Sequence, residues 1–451
     1  MQLDRKTDIG TSNKTLIRSR AMPLLFKPSV AALLHEYIDV ATSGPEACLP
    51  GAIVHVVDHN NATLFSYASH RHSTQTLFDV YSVTKIVCTI AFMQLVDSNA
   101  LSLDDHFIIK RHLPELEAKR VLAETGSVRG KEDKSSLLNF EKQHTDITPR
   151  MLLNHTNGTG HSLFNARLRE YLGRGFDDEN ETVEPYGTIL QSPLMWQPGT
   201  HASYGQGFDW LGVLLERVTH RALGDVFHQN LFAKMGVTRS GYSGGRSGSM
   251  PTGEGTDHWP TRFRVLGGFG LVPRLRVTRD DTWPIGGHHV ETGAMGVVSC
   301  VADLGRLLTI LLPQNGGVDP VSGVRVLSTE SVAEIGKVQL TKHLKNGWGN
   351  IRSTDLSMMN HVDLQEPHLD PAGGFGLGCA IQGADRILRG GLKGRSEGSI
   401  YWYGAASTDY WVDVKMGFAV VMTGNFFPFG DARWVEFVAG IEGLIYKGLT
   451  E

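Results

Sequence analysis

The chain has 451 residues, 41% hydrophobic and 20% charged, the balance of a globular protein with a sizeable core. Its net charge of −4, with the basic residues between Arg262 and Arg279 diluted by Gly, Pro and apolar residues, leaves no nucleic-acid footprint. No apolar run reaches the ~20 residues of a membrane span, so neither nucleic acid nor membrane is an expected partner.

Residues 1–27 read as a lead-in without the continuous apolar core of a secretory signal. Pro28 opens helical spacing that runs to Ala41. Strands at 51–58 and 62–69 flank the turn His59-Asn60-Asn61 and form a hairpin. The stretch 78–97, FDVYSVTKIVCTIAFMQLVD, is a mostly buried helix with Ser82 in its first turn. Residues 101–109 alternate, 112–116 turn, and 118–145 are polar and exposed. Thr148, Pro149 and Gly158 read as cap, first position and stop of a helix. Another helix is expected at 161–173, an acidic irregular stretch at 174–190, polar turns at 195–207 and a strong helix at 208–220. Residues 241–290 are too long for a structureless connection and are expected to cover a site. Helices follow at 293–312 and 327–337. Four antiparallel strands are expected at 375–383, 398–406, 408–416 and 417–425, and a helix at 431–447.

Strands at both chain ends with helices between them predict an α+β fold. The end strands share one antiparallel sheet flanked by the terminal helices, beside a mainly helical region. Residues 28–447 read as a single unit. Its α/β part is 28–80 and 375–447, its mainly helical part is 81–240 and 291–340, and 241–290 and 341–374 cover the cleft. The cysteines Cys48, Cys88, Cys300 and Cys379 are scattered, as buried free thiols in the reducing cytoplasm would be. A zinc site would need closer pairs, so no metal and no cofactor is expected.

Three pieces carry chemistry. Ser82 and Lys85 are three apart, hence on one helix face, where an amine can activate a hydroxyl. The backbone N–H groups at that helix start can hold an oxyanion. Tyr204 lies on a turn before a helix, where a tyrosine beside an ammonium can take a serine proton and return it to a leaving group. Trp402-Tyr403-Gly404-Ala405 is a strand end at which Gly404 would admit a substrate carbonyl to the backbone, and the Ala405 and Ser82 N–H groups would form the oxyanion hole. Each piece alone has an ordinary alternative: a capping serine, a packed tyrosine, a bulge glycine.

Together they resemble the serine β-lactamase and penicillin-binding-protein superfamily, in its class C-like branch of esterases and transesterases. Ser82-x-x-Lys85 matches the first motif. Tyr204-Gly205-Gln206 stands where the family has Tyr-x-Asn, and Trp402-Tyr403-Gly404 where lactamases have Lys-Thr-Gly. The stretches 147–158, 197–220 and 293–308 match as well, and 398–413 looks like fungal members that decorate polyketides. The resemblance implies a β-lactamase/transpeptidase-like fold and a serine acyl-transfer enzyme. Ser82, Lys85 and Tyr204 would be catalytic. The acyl group would pass from an ester or thioester, free or on a carrier protein, to a small-molecule acceptor. Ester hydrolysis is the alternative, followed by β-lactam hydrolysis and by a binding relative without catalysis. Gln206 for Asn keeps an amide on a longer arm toward Lys85 or substrate. Trp402 for Lys exchanges a carboxylate-binding cation for an aromatic wall.

Other substrate-binding candidates are Tyr403, Gly404, Trp283 and His288. Trp283, Phe269, Tyr401 and Trp402 could build an apolar acyl pocket. His288-His289 lack a third metal ligand nearby. Asn154-His155 is read as support for a helix end. The glycines at 267, 268 and 270 do not follow the strand–turn–helix order of a nucleotide loop.

Overall fold

Both chain ends supply strands to one antiparallel sheet. The computed structural model describes residues 24–123, 139–173, 186–243, 250, 255–265, 268–271, 291–340, 344, 350–351, 359–360, 362–363, 370 and 372–450. Near the N-terminus lie α1 (Pro28–Thr42), β1 (Ile53–Asp58) and β2 (Thr63–Ala68). β3 (Phe78–Asp79) leads through a 3-10 turn at Tyr81–Val83 into α2 (Thr84–Asp97). The middle of the chain gives α3 (Gly207–Thr219), β4 (Gly241–Tyr242), β5 (Arg262–Val265), β6 (Gly268–Leu271), β7 (Val297–Ser299) and α4 (Val301–Thr309). The C-terminal part holds β8 (Gly374–Phe375), β9 (Ala380–Ile381), β10 (Ile400–Gly404), β11 (Thr408–Asp413), β12 (Phe418–Thr423), β13 (Phe426–Phe427) and α5 (Ala432–Gly448).

The main sheet has the order β8-β9-β10-β11-β12-β1-β2, every neighbour antiparallel. β1, β11 and β12 are buried along their whole length, which suits the near-continuous apolar run of β12 and the mostly apolar β1. α1 packs on α5, with the Tyr37 and Phe437 rings stacked at 5.6 Å, while α4 packs on β12 and β1. The sheet is thus covered by helices.

α2 is buried from Thr84 to Met93 with no polar face, as expected of a helix that is apolar all round. It runs through the helical region against α3. Its start is tied to a second sheet of order β3-β7-β4. The Val80 N–H donates to the Val297 carbonyl at 3.0 Å, and the Val297 N–H donates to Thr84 Oγ1 at 3.2 Å.

Several elements differ from the sequence expectation. The helix expected from 293 begins only at Val301, because Val297 and Val298 pair with β4 while Val298 and Ser299 pair with β3. The strand expected over 375–383 folds back on itself, and β8 pairs with β9 around Gly378 at φ +74°. The alternating stretch before 116 holds two short helices, His106–His112 and Pro114–Glu117, the first capped by Asp105 Oδ1 accepting from the Phe107 N–H at 2.9 Å. The helix expected at 161–173 shortens to Ala166–Tyr171, capped by Asn165. Among the described residues, no helix is long and apolar enough to cross a membrane.

Candidate active site

Ser82 sits in the 3-10 turn ahead of α2 and is partly exposed. Tyr81, just before it, has φ +46°, a costly conformation for a residue with a side chain. Its ring is buried edge-on to Phe427 at 5.3 Å, and Phe263 in turn stacks on Phe427 at 5.3 Å. This packing holds the turn that presents Ser82.

The three motifs meet at the Ser82 hydroxyl. Lys85 Nζ donates to Ser82 Oγ at 3.1 Å, and the Tyr204 hydroxyl donates to the same oxygen at 2.9 Å. Lys85 is buried at 2% exposure although it carries an amine. Its Nζ also donates to the Ala294 carbonyl at 2.9 Å and lies 4.7 Å from the centre of the Tyr204 ring. A buried amine needs such partners, since desolvation without them is costly.

Tyr204 is held from three sides. The His155 ring lies 4.7 Å away, Phe164 stands edge-on at 5.4 Å, and Trp402 is at 5.6 Å. The Trp402 indole N–H points at the Tyr204 hydroxyl at 3.5 Å. Burial, with the Lys85 charge adding to it, holds the His155 imidazole well below its usual range, so the ring is neutral. The His155 carbonyl accepts from the Ser203 N–H at 2.9 Å, which fixes the start of the tyrosine loop. Asn154 does support a helix end, its Oδ1 accepting from the Thr156 hydroxyl at 2.7 Å.

Other candidates stand elsewhere. Gln206 is fully buried, and its Nε2 donates to Ser192 Oγ at 2.9 Å rather than reaching Lys85. The Ser192 carbonyl accepts from Lys119, so the amide serves the scaffold under α3. Trp402 is 2% exposed, packed between Tyr204 and the edge-on Phe375 ring at 5.0 Å, and does not form an open wall. Tyr401 and Tyr403 fall on the opposite face of β10, as the two-residue period demands. The Arg395 guanidinium lies 4.1 Å over the Tyr401 ring, and Tyr403 packs against Tyr401 and Phe429. Phe269 packs on Phe426 and Arg264. Trp283, His288 and His289 lie outside the described residues.

Gly404 is needed, but the carbonyl that approaches it belongs to the chain itself. A Cβ there would stand 2.5 Å from the Val80 oxygen. The end of β10 is therefore pressed against the residue that opens the Ser82 turn, and Ala405 joins the Tyr81–Phe427 cluster.

Reading the sequence missed Thr292, Ala294 and Asp209, which stand behind Lys85. Asp209 had a signal, being the lone carboxylate early in the apolar helix FDWLGVLL. Thr292 and Ala294 had none, since only the fold brings them to α2. Among the described residues, no group of three or more His, Cys, Asp or Glu could hold a metal.

The model of the family described as Beta-lactamase matches residues 30–439. The chain is 25% identical over 359 residues to Acyltransferase calJ of Penicillium decumbens, covering 78% of this chain and 76% of that one. It is 33% identical over 201 residues to Lovastatin esterase of Penicillium rubens, covering 44% and 48%. Unliganded Simvastatin Synthase (LovD) from Aspergillus terreus superposes with a TM-score of 0.70 at 20% identity, over 92% of this chain and 98% of that one. The family match spans nine-tenths of the chain and takes in Ser82, Lys85 and Tyr204: the chain belongs to the Beta-lactamase family.

Proposed function

We propose that this protein is a serine acyl-transfer enzyme that moves an acyl group from an ester or thioester to a small-molecule acceptor. The observation that carries this reading is the Ser82 hydroxyl held at 2.9 Å by Tyr204 and at 3.1 Å by Lys85. The Ser82 oxygen attacks the donor carbonyl and its proton passes to the Tyr204–Lys85 pair. The tetrahedral oxyanion is held by the Ser82 and Ala405 N–H groups. The carbon–oxygen or carbon–sulfur bond to the leaving group breaks, and the leaving group takes the proton. The acceptor hydroxyl or amine then repeats the sequence on the acyl-enzyme and restores Ser82.

Similarity to an acyltransferase over most of both chains supports transfer as the fate of the acyl group. Similarity to Lovastatin esterase supports hydrolysis as the second reading, because water can take the acceptor's place without any change of catalytic residue. The hairpin β5–β6 supports a cover over the cleft within 241–290, since Phe263 stacks on the cluster beside Tyr81. Exclusion of water there favours an alcohol or amine acceptor. The proposed cover includes 341–374, and Trp283 and His288 stay proposed as substrate contacts. The donor is proposed to be a small-molecule ester or thioester, free or bound to a carrier protein. Four free cysteines, three of them buried, support a reducing cytoplasmic location.

The test is acyl partitioning. The enzyme is loaded with a short acyl thioester, and intact mass should show one acyl adduct, absent in Ser82→Ala. Hydroxylated polyketides are then offered and ester product is measured against free acid. An adduct that survives in Ser82→Ala overturns the nucleophile. Free acid dominating with a saturating true acceptor leaves hydrolysis as the function.

A further inference from the structure

Behind Lys85 runs a line of buried hydrogen bonds that starts in α3. Asp209 Oδ1 accepts from the Thr292 hydroxyl at 2.7 Å. Thr292 Oγ1 accepts from the Ala294 N–H at 2.8 Å. The Ala294 carbonyl accepts from Lys85 Nζ at 2.9 Å, and Lys85 reaches Ser82 Oγ at 3.1 Å. Asp209, Thr292, Ala294 and Lys85 are each 5% exposed or less, so these bonds do not compete with bulk water. A hydroxyl has one proton. With that proton given to Asp209, the oxygen of Thr292 turns a lone pair to the Ala294 N–H.

The segment is also gripped from its other sides. The Tyr242 hydroxyl donates to the Thr292 carbonyl at 2.5 Å. A Cβ on Gly293 would stand 2.5 Å from the Phe208 oxygen and 2.7 Å from Cys88 Sγ, so α3 and α2 close directly on the backbone there. The Ala294 carbonyl is therefore a fixed acceptor. A lysine on a four-carbon stem needs one, because its ammonium has many rotamers and a single useful position.

We propose that Asp209 and Thr292 are positioning residues for the acyl-transfer step: by holding the Ala294 carbonyl they set where Lys85 stands against Ser82. The inference rests on the acyl-transfer reading above. Neither residue touches the reacting atoms. They act through Ala294 and then Lys85.

The test compares Thr292→Val, which keeps the shape and loses both hydrogen bonds, with Thr292→Ser, which keeps the hydroxyl. The rate of Ser82 labelling by a fluorophosphonate is followed by intact mass. In that reaction the serine oxygen bonds phosphorus, fluoride leaves, and the serine proton departs through Tyr204 and Lys85. Thr292→Val should label about 10- to 100-fold more slowly, the loss expected for a misplaced catalytic group. Thr292→Ser should stay close to wild type. Equal losses in the two variants, or none in Thr292→Val, overturn the proposal. Asp209→Leu should slow labelling to a similar degree, and it carries the test alone if Thr292→Val does not fold. Adding Thr292→Val to Asp209→Leu should cost little more, since both break one line of bonds, and multiplied losses would overturn the proposal. If wild type is not labelled on Ser82, it is the acyl-transfer reading that fails. Crystal structures of wild type and Thr292→Val still decide the placement, and an unchanged distance from Lys85 Nζ to Ser82 Oγ refutes it.

Discussion

Gly404→Ala probes how the end of β10 is set against the turn that carries Ser82. The new Cβ would lie 2.5 Å from the Val80 oxygen and 3.1 Å from Thr408 Cβ. Contacts of a Cβ under 3.0 Å essentially do not occur, so strand and turn must part by at least 0.5 Å, the difference between 3.0 and 2.5. The Val80 carbonyl is not free to yield alone, because it accepts from the Val83 N–H at 3.1 Å and so opens the turn that holds Ser82. Tyr81 is wedged against Phe427 on one side, and Val80 is bonded to β7 on the other. The strain therefore separates Ser82 from Ala405. A misplacement of 1 Å costs roughly 100-fold in rate, so half of that predicts about 10-fold. Overpacking should add ~1–3 kcal/mol of destabilisation. The assay is kcat/KM on p-nitrophenyl butyrate beside urea unfolding. A variant with both the wild-type rate and the wild-type midpoint would show that this contact does not govern the site.

Three further substitutions follow from the same geometry. Tyr204→Phe removes the hydroxyl that donates to Ser82 and should lower kcat by about 10²- to 10⁴-fold at unchanged thermal stability; a loss under about 10-fold would exclude it as the proton carrier. Trp402→Phe keeps a ring against Phe375 but loses the N–H aimed at Tyr204, so kcat should fall about 2- to 12-fold, the worth of one hydrogen bond. Chain-length preference across p-nitrophenyl esters should not move, and a shift would place the indole in the acyl pocket. Asp409 stands in β11 against Trp434 of α5, where burial raises its carboxyl to about 7 from 3.8, although the Trp434 N–H donates to it at 2.6 Å. The raised value means the folded state holds the proton longer, so the stability it contributes is complete below the unfolded pKa and is lost as pH rises toward 7. Its ceiling is ~4 kcal/mol, from about three units at 1.36 each. Asp409→Asn should flatten this loss in urea midpoints between pH 4 and pH 8, and parallel curves for variant and wild type would refute it.

The parts of the fold that could be read from the residues are those where one periodicity runs unbroken. α2 is apolar on every side and β10 to β12 are full-length runs, so type and order followed directly. Short elements escaped because partners distant in sequence decide them. Val297–Ser299 is a strand only because β3 and β4 flank it. The same division holds within the site. Ser82 and Lys85 meet across one helical turn, as their spacing predicts, whereas Ala294 meets Lys85 from 209 positions along the chain, with Thr292 and Asp209 behind it.

Side-chain direction was harder to read than position, and β10 shows why. The pleat allows Trp402 to face the cleft or Tyr401 and Tyr403 to do so, but not all three. The strand's partners decide which. Arg395 draws the two tyrosines to one face, and Tyr204 with Phe375 takes the indole on the other. Trp402 then lies behind Tyr204, where its N–H can orient the hydroxyl that bonds Ser82. Gln206 follows the same logic, since Ser192 holds its amide inside the scaffold. Of the two positions at which the chain departs from the lactamase motifs, Trp402 therefore packs on Tyr204 and Gln206 serves the scaffold under α3. From outside these motifs, the β5–β6 hairpin carries Phe263 onto Phe427 in the cluster beside Tyr81, next to the turn that presents Ser82.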